Sequence, residues 1–217
     1  MAIALDTSVN GGLHTGTSLT YSHTCTGSNL ILFVGIFGDI DNDYVTGVTY
    51  NGVSMTAVDK SQIPGDRWVY LYYLIAPATG ANNVVVSASN SIAIDAQSAS
   101  YTGAAQSSQP DNSTVSSDGS DTLTGATVTL TSSANNCWTF MVLKTEGSAP
   151  TAGAGTTRRQ TGNNMSIFDS NGAITPAGST SLVAAWGEDD TYAAVMASFS
   201  PVGGAATVNS GFFEIMQ

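Results

Sequence analysis

Of the 217 residues, 42% are hydrophobic and only 10% charged, so the chain can fill a sizeable core but must cover it mainly with Ser, Thr, Asn and Gly. Five Lys and Arg stand against sixteen Asp and Glu; a formal charge of -11 repels phosphate backbones and sets nucleic acid aside as a direct partner. The longest apolar run, residues 30–37 (LILFVGIF), is far shorter than the ~20 residues of a membrane-spanning helix, and no membrane partner is expected.

Residues 1–10 (MAIALDTSVN) offer neither the basic n-region nor the apolar run of a secretory signal, which points to synthesis in the cytoplasm of the producing cell. In such a reducing compartment Cys25 and Cys137 are expected as free thiols. A weak strand is predicted around residues 15–23, and the run 30–37 reads as a strand buried on both faces. An acidic loop, 38–43 (GDIDND), follows. Residues 44–50 (YVTGVTY) then run into Asn51-Gly52, the dipeptide best suited to a two-residue type I′ turn, with a return strand at 54–58.

Pro64-Gly65 leads into residues 67–75 (RWVYLYYLI), where Trp68, Tyr70 and Tyr72 alternate with Val69, Leu71 and Tyr73 on opposite faces. Further strands are predicted at 83–88, 92–101, 126–130, 137–143, 181–186 and 193–199, with a weaker one at 156–160. Within 92–101, Ile92, Ile94 and Ala96 alternate with Asp95 and Gln97, the pattern of a strand with one wet face. Helix patterns are absent, so the fold class is all-β: an antiparallel two-sheet β-sandwich, jelly-roll-like. The expected organisation is one unit over residues 1–202 and a C-terminal arm over 203–217. The Ser-, Asp- and Gly-rich stretch 104–125 reads as a long connection, with strands from the two halves interleaving and no internal repeat of constant period.

Catalytic signals are weak. The two histidines, His14 and His23, lie in Ser/Thr-rich sequence that suggests loop or edge positions, no Gly-x-Ser-x-Gly elbow occurs, and Cys137 sits in an apolar strand beside Trp138. The Gly153–Gly155 stretch precedes no helix and reads as a bend. Acidic side chains crowd at Asp39, Asp41, Asp43 and again at Glu188, Asp189, Asp190, spacings that suit solvated loops better than a separated acid and nucleophile. The first trio offers a calcium candidate, although Tyr44 stands where an EF-hand needs Gly; no other cofactor is expected. Trp68, Tyr70, Tyr72 and Trp186 form a candidate sugar-stacking set, with core packing as the competing reading.

Residues 30–37, then 45–53 (VTGVTYNGV), 69–77 (VYLYYLIAP), 100–103 (SYTG) and 197–201 (ASFSP) together resemble a diffuse family of jelly-roll-like domains. That family occurs in bacteriophage structural proteins and in large bacterial extracellular proteins, and the resemblance spans about residues 5–202. Taken with the missing signal, the scarcity of Lys and Arg, the Ser/Thr-rich surface and the lack of heptads or fibrous repeats, it points to a non-enzymatic virion protein: a capsid decoration or cement protein on the particle surface, bound to the major capsid protein and forming a homotrimer. It brings no catalytic residues. The alternative is a lectin-like module of a tail, fibre or extracellular protein that binds carbohydrate or a host surface.

The chain closes with GFFEIMQ, in which Phe212, Phe213, Ile215 and Met216 are costly to leave in water, at about 1.5 to 3 kcal/mol per large apolar side chain. These four are the candidate partner-binding residues, read as docking on a neighbouring subunit or the capsid by strand addition or as an apolar plug.

Overall fold

The computed structural model describes residues 1–38 and 41–203. Within them lie β1 (Ala4–Cys25), β2 (Ile31–Gly38), β3 (Val45–Tyr50), β4 (Val53–Ser54), β5 (Thr56–Gln62), β6 (Trp68–Ile75), β7 (Gly80–Thr102), β8 (Asn112–Thr131), β9 (Trp138–Thr145), β10 (Thr151–Ala152), β11 (Thr157–Gly162), β12 (Met165–Asp169) and β13 (Ser179–Phe199). No helix occurs among the described residues, and the strands form two antiparallel sheets, a β-sandwich of jelly-roll-like character.

The first sheet has the order β4-β3-β7-β2-β6-β5, with β1 also paired to β7; the second has β10-β13-β9-β12-β11, with β8 also paired to β13. Strands from the two halves of the chain therefore do not interleave, contrary to expectation. Each half instead builds its own sheet, and the halves share one topology: β1, β2, β3, β5, β6 and β7 pair with one another just as β8, β9, β10, β11, β12 and β13 do. A constant sequence period does not reveal this, because the β3–β4 hairpin of the first half is reduced to the two-residue β10 in the second.

The same correspondence governs how the halves meet. Ser61 on β5 donates its hydroxyl to the Ser116 carbonyl on β8, while Asn10 on β1 donates its amide to the Thr161 carbonyl on β11. Edge strands of each sheet are thus clasped by the long ribbon of the other, which covers part of both edges.

Why these residues form these strands is clearest at β2, whose eight positions are all buried. Phe33 and Phe37 face the second sheet, and Leu32, Val34 and Ile36 face inward on the curled first sheet. Between the sheets Phe33 stacks on Phe140 at 4.9 Å between centroids, with Phe199 at 5.1 Å and Tyr101 edge-on, a set of aromatic contacts each worth about 0.5–1.5 kcal/mol beyond area burial. Two further apolar clusters fill the curls of the first and second sheets, around Leu32 and Tyr50 and around Met141 and Leu182.

The turn forms as predicted: Tyr50 pairs with Val53 across Asn51 and Gly52, whose φ values of 50° and 76° are both positive as a type I′ turn requires. The expected return strand at 54–58 does not, since only Val53–Ser54 pairs back onto β3 and the chain from Thr56 pairs with β6 instead. Alternation on β6 also holds, with Val69 and Leu71 in the inter-sheet core and Tyr70 in the other cluster. Three further expectations are corrected. Segments 83–88 and 92–101 are one strand, β7, and 181–186 and 193–199 are one strand, β13, each with a register break where the ribbon bends. Most of 104–125 is not a connection, since β8 starts at Asn112. Asp95 and Gln97 do not face water but are 1% and 0% exposed, because the second sheet covers their face; Gln97 donates to the Met165 carbonyl of β12.

Candidate functional site: a groove on the open seam of the first sheet

The first sheet curls far enough that β3 and β5 approach each other, but they do not pair. After the hairpin, β4 bonds to β3, and the chain then swings across so that β5 bonds to β6. The seam left between β3 and β5 is a groove of about 320 Å³. Tyr70 and Tyr72 of β6 line it, Val45 and Ala57 stand on opposite walls, and Asp43 and Lys60 meet at its rim.

The sequence-predicted residues are partly united here. Asp43 accepts a hydrogen bond from the Tyr70 hydroxyl at 3.0 Å and forms an ion pair with Lys60. The Asp41 carbonyl accepts from Trp68 Nε1 at 3.1 Å and from Gln62 Nε2 at 3.0 Å, so the acidic loop is fastened to β5 and β6. Trp68 backs the rim: its ring stacks obliquely on Tyr70 at 6.3 Å and lies 5.1 Å beneath the Lys60 ammonium, inside cation–π range. Tyr70 is almost wholly buried, whereas Tyr72 is half-buried.

Burial pushes the Tyr70 hydroxyl pKa up strongly, reinforced by the Asp43 carboxylate that it donates to. Tyr72 is raised by burial first and then by the nearby Asp43 charge. Both phenols therefore stay protonated as donors across the neutral range.

Trp186 stands apart. It belongs to β13 of the second sheet, is 5% exposed, donates Nε1 to the Leu123 carbonyl at 2.6 Å and packs on Tyr192. Asp39 of the acidic trio lies outside the described residues, as do Phe212, Phe213, Ile215 and Met216. Among the described residues no group of three acidic, His or Cys side chains converges as a metal site, and both Asp43 oxygens are already engaged by Tyr70 and Lys60. Lys60 and Asp59 were not singled out from sequence, because the register shift between Ala57 and Asp59 that places them at the rim arises only when β5 pairs with β6.

Other chemistry-bearing side chains are spent on the framework. His23 lies on the edge strand β1 yet is fully buried, with Nδ1 2.8 Å from Ser98 Oγ and Nε2 3.0 Å from Ser100 Oγ. Ser100 in turn donates to Asp6 at 2.7 Å. Burial drives the imidazole pKa down to about 4 against the opposing pull of Asp6. Asp190 accepts four backbone N–H bonds, from Glu146, Gly147, Ser148 and Thr191, and so pins the turn after β9; Glu188 and Asp189 beside it are exposed. Asp169 accepts from Tyr101 at 2.8 Å and pairs with Arg159 at 2.6 Å. Cys25 and Cys137 are buried free thiols; burial, seconded by Asp111, pushes the Cys137 thiol up to about 12. The Gly153–Gly155 stretch is a turn, with Gly155 at a φ of 70°.

Comparison with family models, with curated proteins and with solved structures gives no match to this chain.

Proposed function

We propose that this chain is a non-enzymatic structural protein of a virus particle, a decoration or cement protein that binds the major capsid protein and stabilises the head, assembled as a homotrimer. The observation that carries the reading is the pair of long ribbons. Strands β1 and β8, of 22 and 20 residues, each pair in a ladder with one neighbour only, β7 and β13; beyond the stretches met by β11 and β5 they leave long edges suited to strand addition by a neighbouring subunit. Asn112 to Thr131 is polar along most of that edge, which keeps it soluble until a specific partner arrives.

Charge supports the same reading. All five basic side chains make contacts within the chain: Lys60 with Asp43, Arg67 with Asp66 and Glu146, Arg159 with Asp169, Arg158 with the Pro150 carbonyl, and Lys144 over the Phe37 ring. None is left to grip nucleic acid, and the particle surface is the natural place for a neutral-polar, acidic shell. The apolar residues Phe212, Phe213, Ile215 and Met216 supply the second contact that a cement protein needs.

The test is cosedimentation of the purified chain with particles produced without its gene. Saturable binding at a fixed number of copies per coat protein is expected, lost on deleting residues 204–217; absence of binding by the intact chain overturns the proposal.

A further inference from the structure

We propose that the seam groove between β3 and β5 is a binding site for a single neutral pyranose unit of a glycan. The inference is independent of the particle role, because it rests on the interior geometry of the first sheet. Its first support is the floor. Tyr72 is half-buried beside the buried Tyr70, so an aromatic surface is exposed to the groove while its backing is rigid. The apolar C–H face of a pyranose covers such a surface, and Val45, Ala57 and Val58 supply the apolar walls around it.

The rim supplies the polar half of sugar recognition. Asp43 and Asp59 are carboxylate acceptors for ring hydroxyls, and Lys60 and the Tyr72 hydroxyl are donors. Asp43 is held in place by the hydrogen bond from the buried Tyr70, so its orientation is set before a ligand arrives and little ordering cost falls on binding. A vicinal diol bridging Asp43 and Lys60 replaces their exposed ion pair, whose own contribution is small because both side chains are well solvated.

Size and charge narrow the class. At about 320 Å³ the groove lies at the small end of ligand sites, enough for one ring with its neighbours outside. Two carboxylates against one ammonium make the rim net negative on a chain of charge -11, which disfavours sialic and uronic acids and leaves neutral sugars.

The experiment is a glycan array probed with the full chain, followed by calorimetry with the best neutral oligosaccharide. Binding is expected to glycans with neutral terminal pyranoses, at a Kd on the order of 0.1–1 mM, and to fall when the same glycan is capped with sialic acid. Tyr72→Ala should weaken it by about tenfold or more and Tyr72→Phe by about threefold or less. Because Tyr72→Ala removes part of the packing on β6, Ala57→Trp is the companion variant: it starts from an exposed position, fills the groove and should abolish binding without loss of the fold. No neutral glycan bound at about 10 mM, preference for the acidic glycans, or binding that survives Ala57→Trp would each overturn the assignment.

Discussion

Gly35, in the middle of β2, marks a close approach of the two sheets. A Cβ placed there would sit 2.7 Å from both Cβ and Cγ2 of Val142 on β9 and 3.2 Å from Cγ2 of Ile167 on β12. Gly35→Ala therefore forces the sheets apart, since a rotamer change of Val142 would relieve the Cγ2 contact but not the Cβ one, an overpacking cost of about 1–3 kcal/mol. The reduced freedom of the unfolded chain offsets about 0.4–1 kcal/mol of that, leaving a net loss of about 1–2 kcal/mol. Val142→Ala alone removes two buried methyls and should cost about 2 kcal/mol. In the double variant the Cγ2 contact is gone while the Cβ contact remains, so the clash is half relieved. The combined loss should fall short of the sum by about 1 kcal/mol. Urea unfolding followed by the fluorescence of Trp138, which lies in the same inter-sheet core, measures all three variants. Losses that add to within about 0.3 kcal/mol would refute the face-to-face packing of β2 on β9.

Asp190→Asn leaves one acceptor oxygen for four N–H donors and turns an amide toward them, so stability should drop by about 3 kcal/mol, with faster hydrogen exchange at residues 146–148 as the local readout. Asp95 is raised to about 6 by burial, against the opposing pull of the Ala96 backbone N–H and the Lys144 charge. A carboxyl whose folded pKa lies above its unfolded value holds extra protons in the folded state, so its contribution to stability is lost as pH rises from about 4 to 6. His23, lowered to about 4, acts in the opposite sense and gains stability between about 4 and 6.5. The two therefore offset each other in the parent chain, and Asp95→Asn should unmask a rise in melting temperature from pH 4 to 7; an unchanged pH profile would count against it. Gly52→Ala, at a φ of 76°, should cost about 1 kcal/mol in denaturant unfolding while leaving the rest of the first sheet intact.

What could be read from the sequence followed the strength of local signals. The all-apolar β2, the Asn51-Gly52 turn and the alternation on β6 each depend on residues within one or two turns of chain, and each is found where expected. The front of β8 could not be read, because it has one neighbour and is exposed over most of its length: SSDGSD carries no apolar face, and its strand character comes from pairing with β13. β12, five buried residues between turns, was too short to show a period. The burial of His23 on its edge strand could not be read, because its neighbours are polar. Only the curl of the β1–β7 ribbon brings Ser98 and Ser100 onto its two nitrogens.

The groove shows the same division. Aromatic alternation identified Tyr70 and Tyr72, and the acidic loop identified Asp43, but no local pattern could join them. Their meeting depends on β5 leaving β4 and crossing to β6, which brings Lys60 onto Asp43. Trp186 shared the aromatic signature and lies in the other sheet, since composition does not distinguish a ring on one core face from a ring on another.

The most direct measurement of the proposed role is quantitative peptide mass spectrometry on purified particles from cells that make this chain, taken as a ratio to the major coat protein. The account expects near-stoichiometric copies that remain through density-gradient purification. A particle fraction with coat protein in full amount and no peptides of this chain would contradict it.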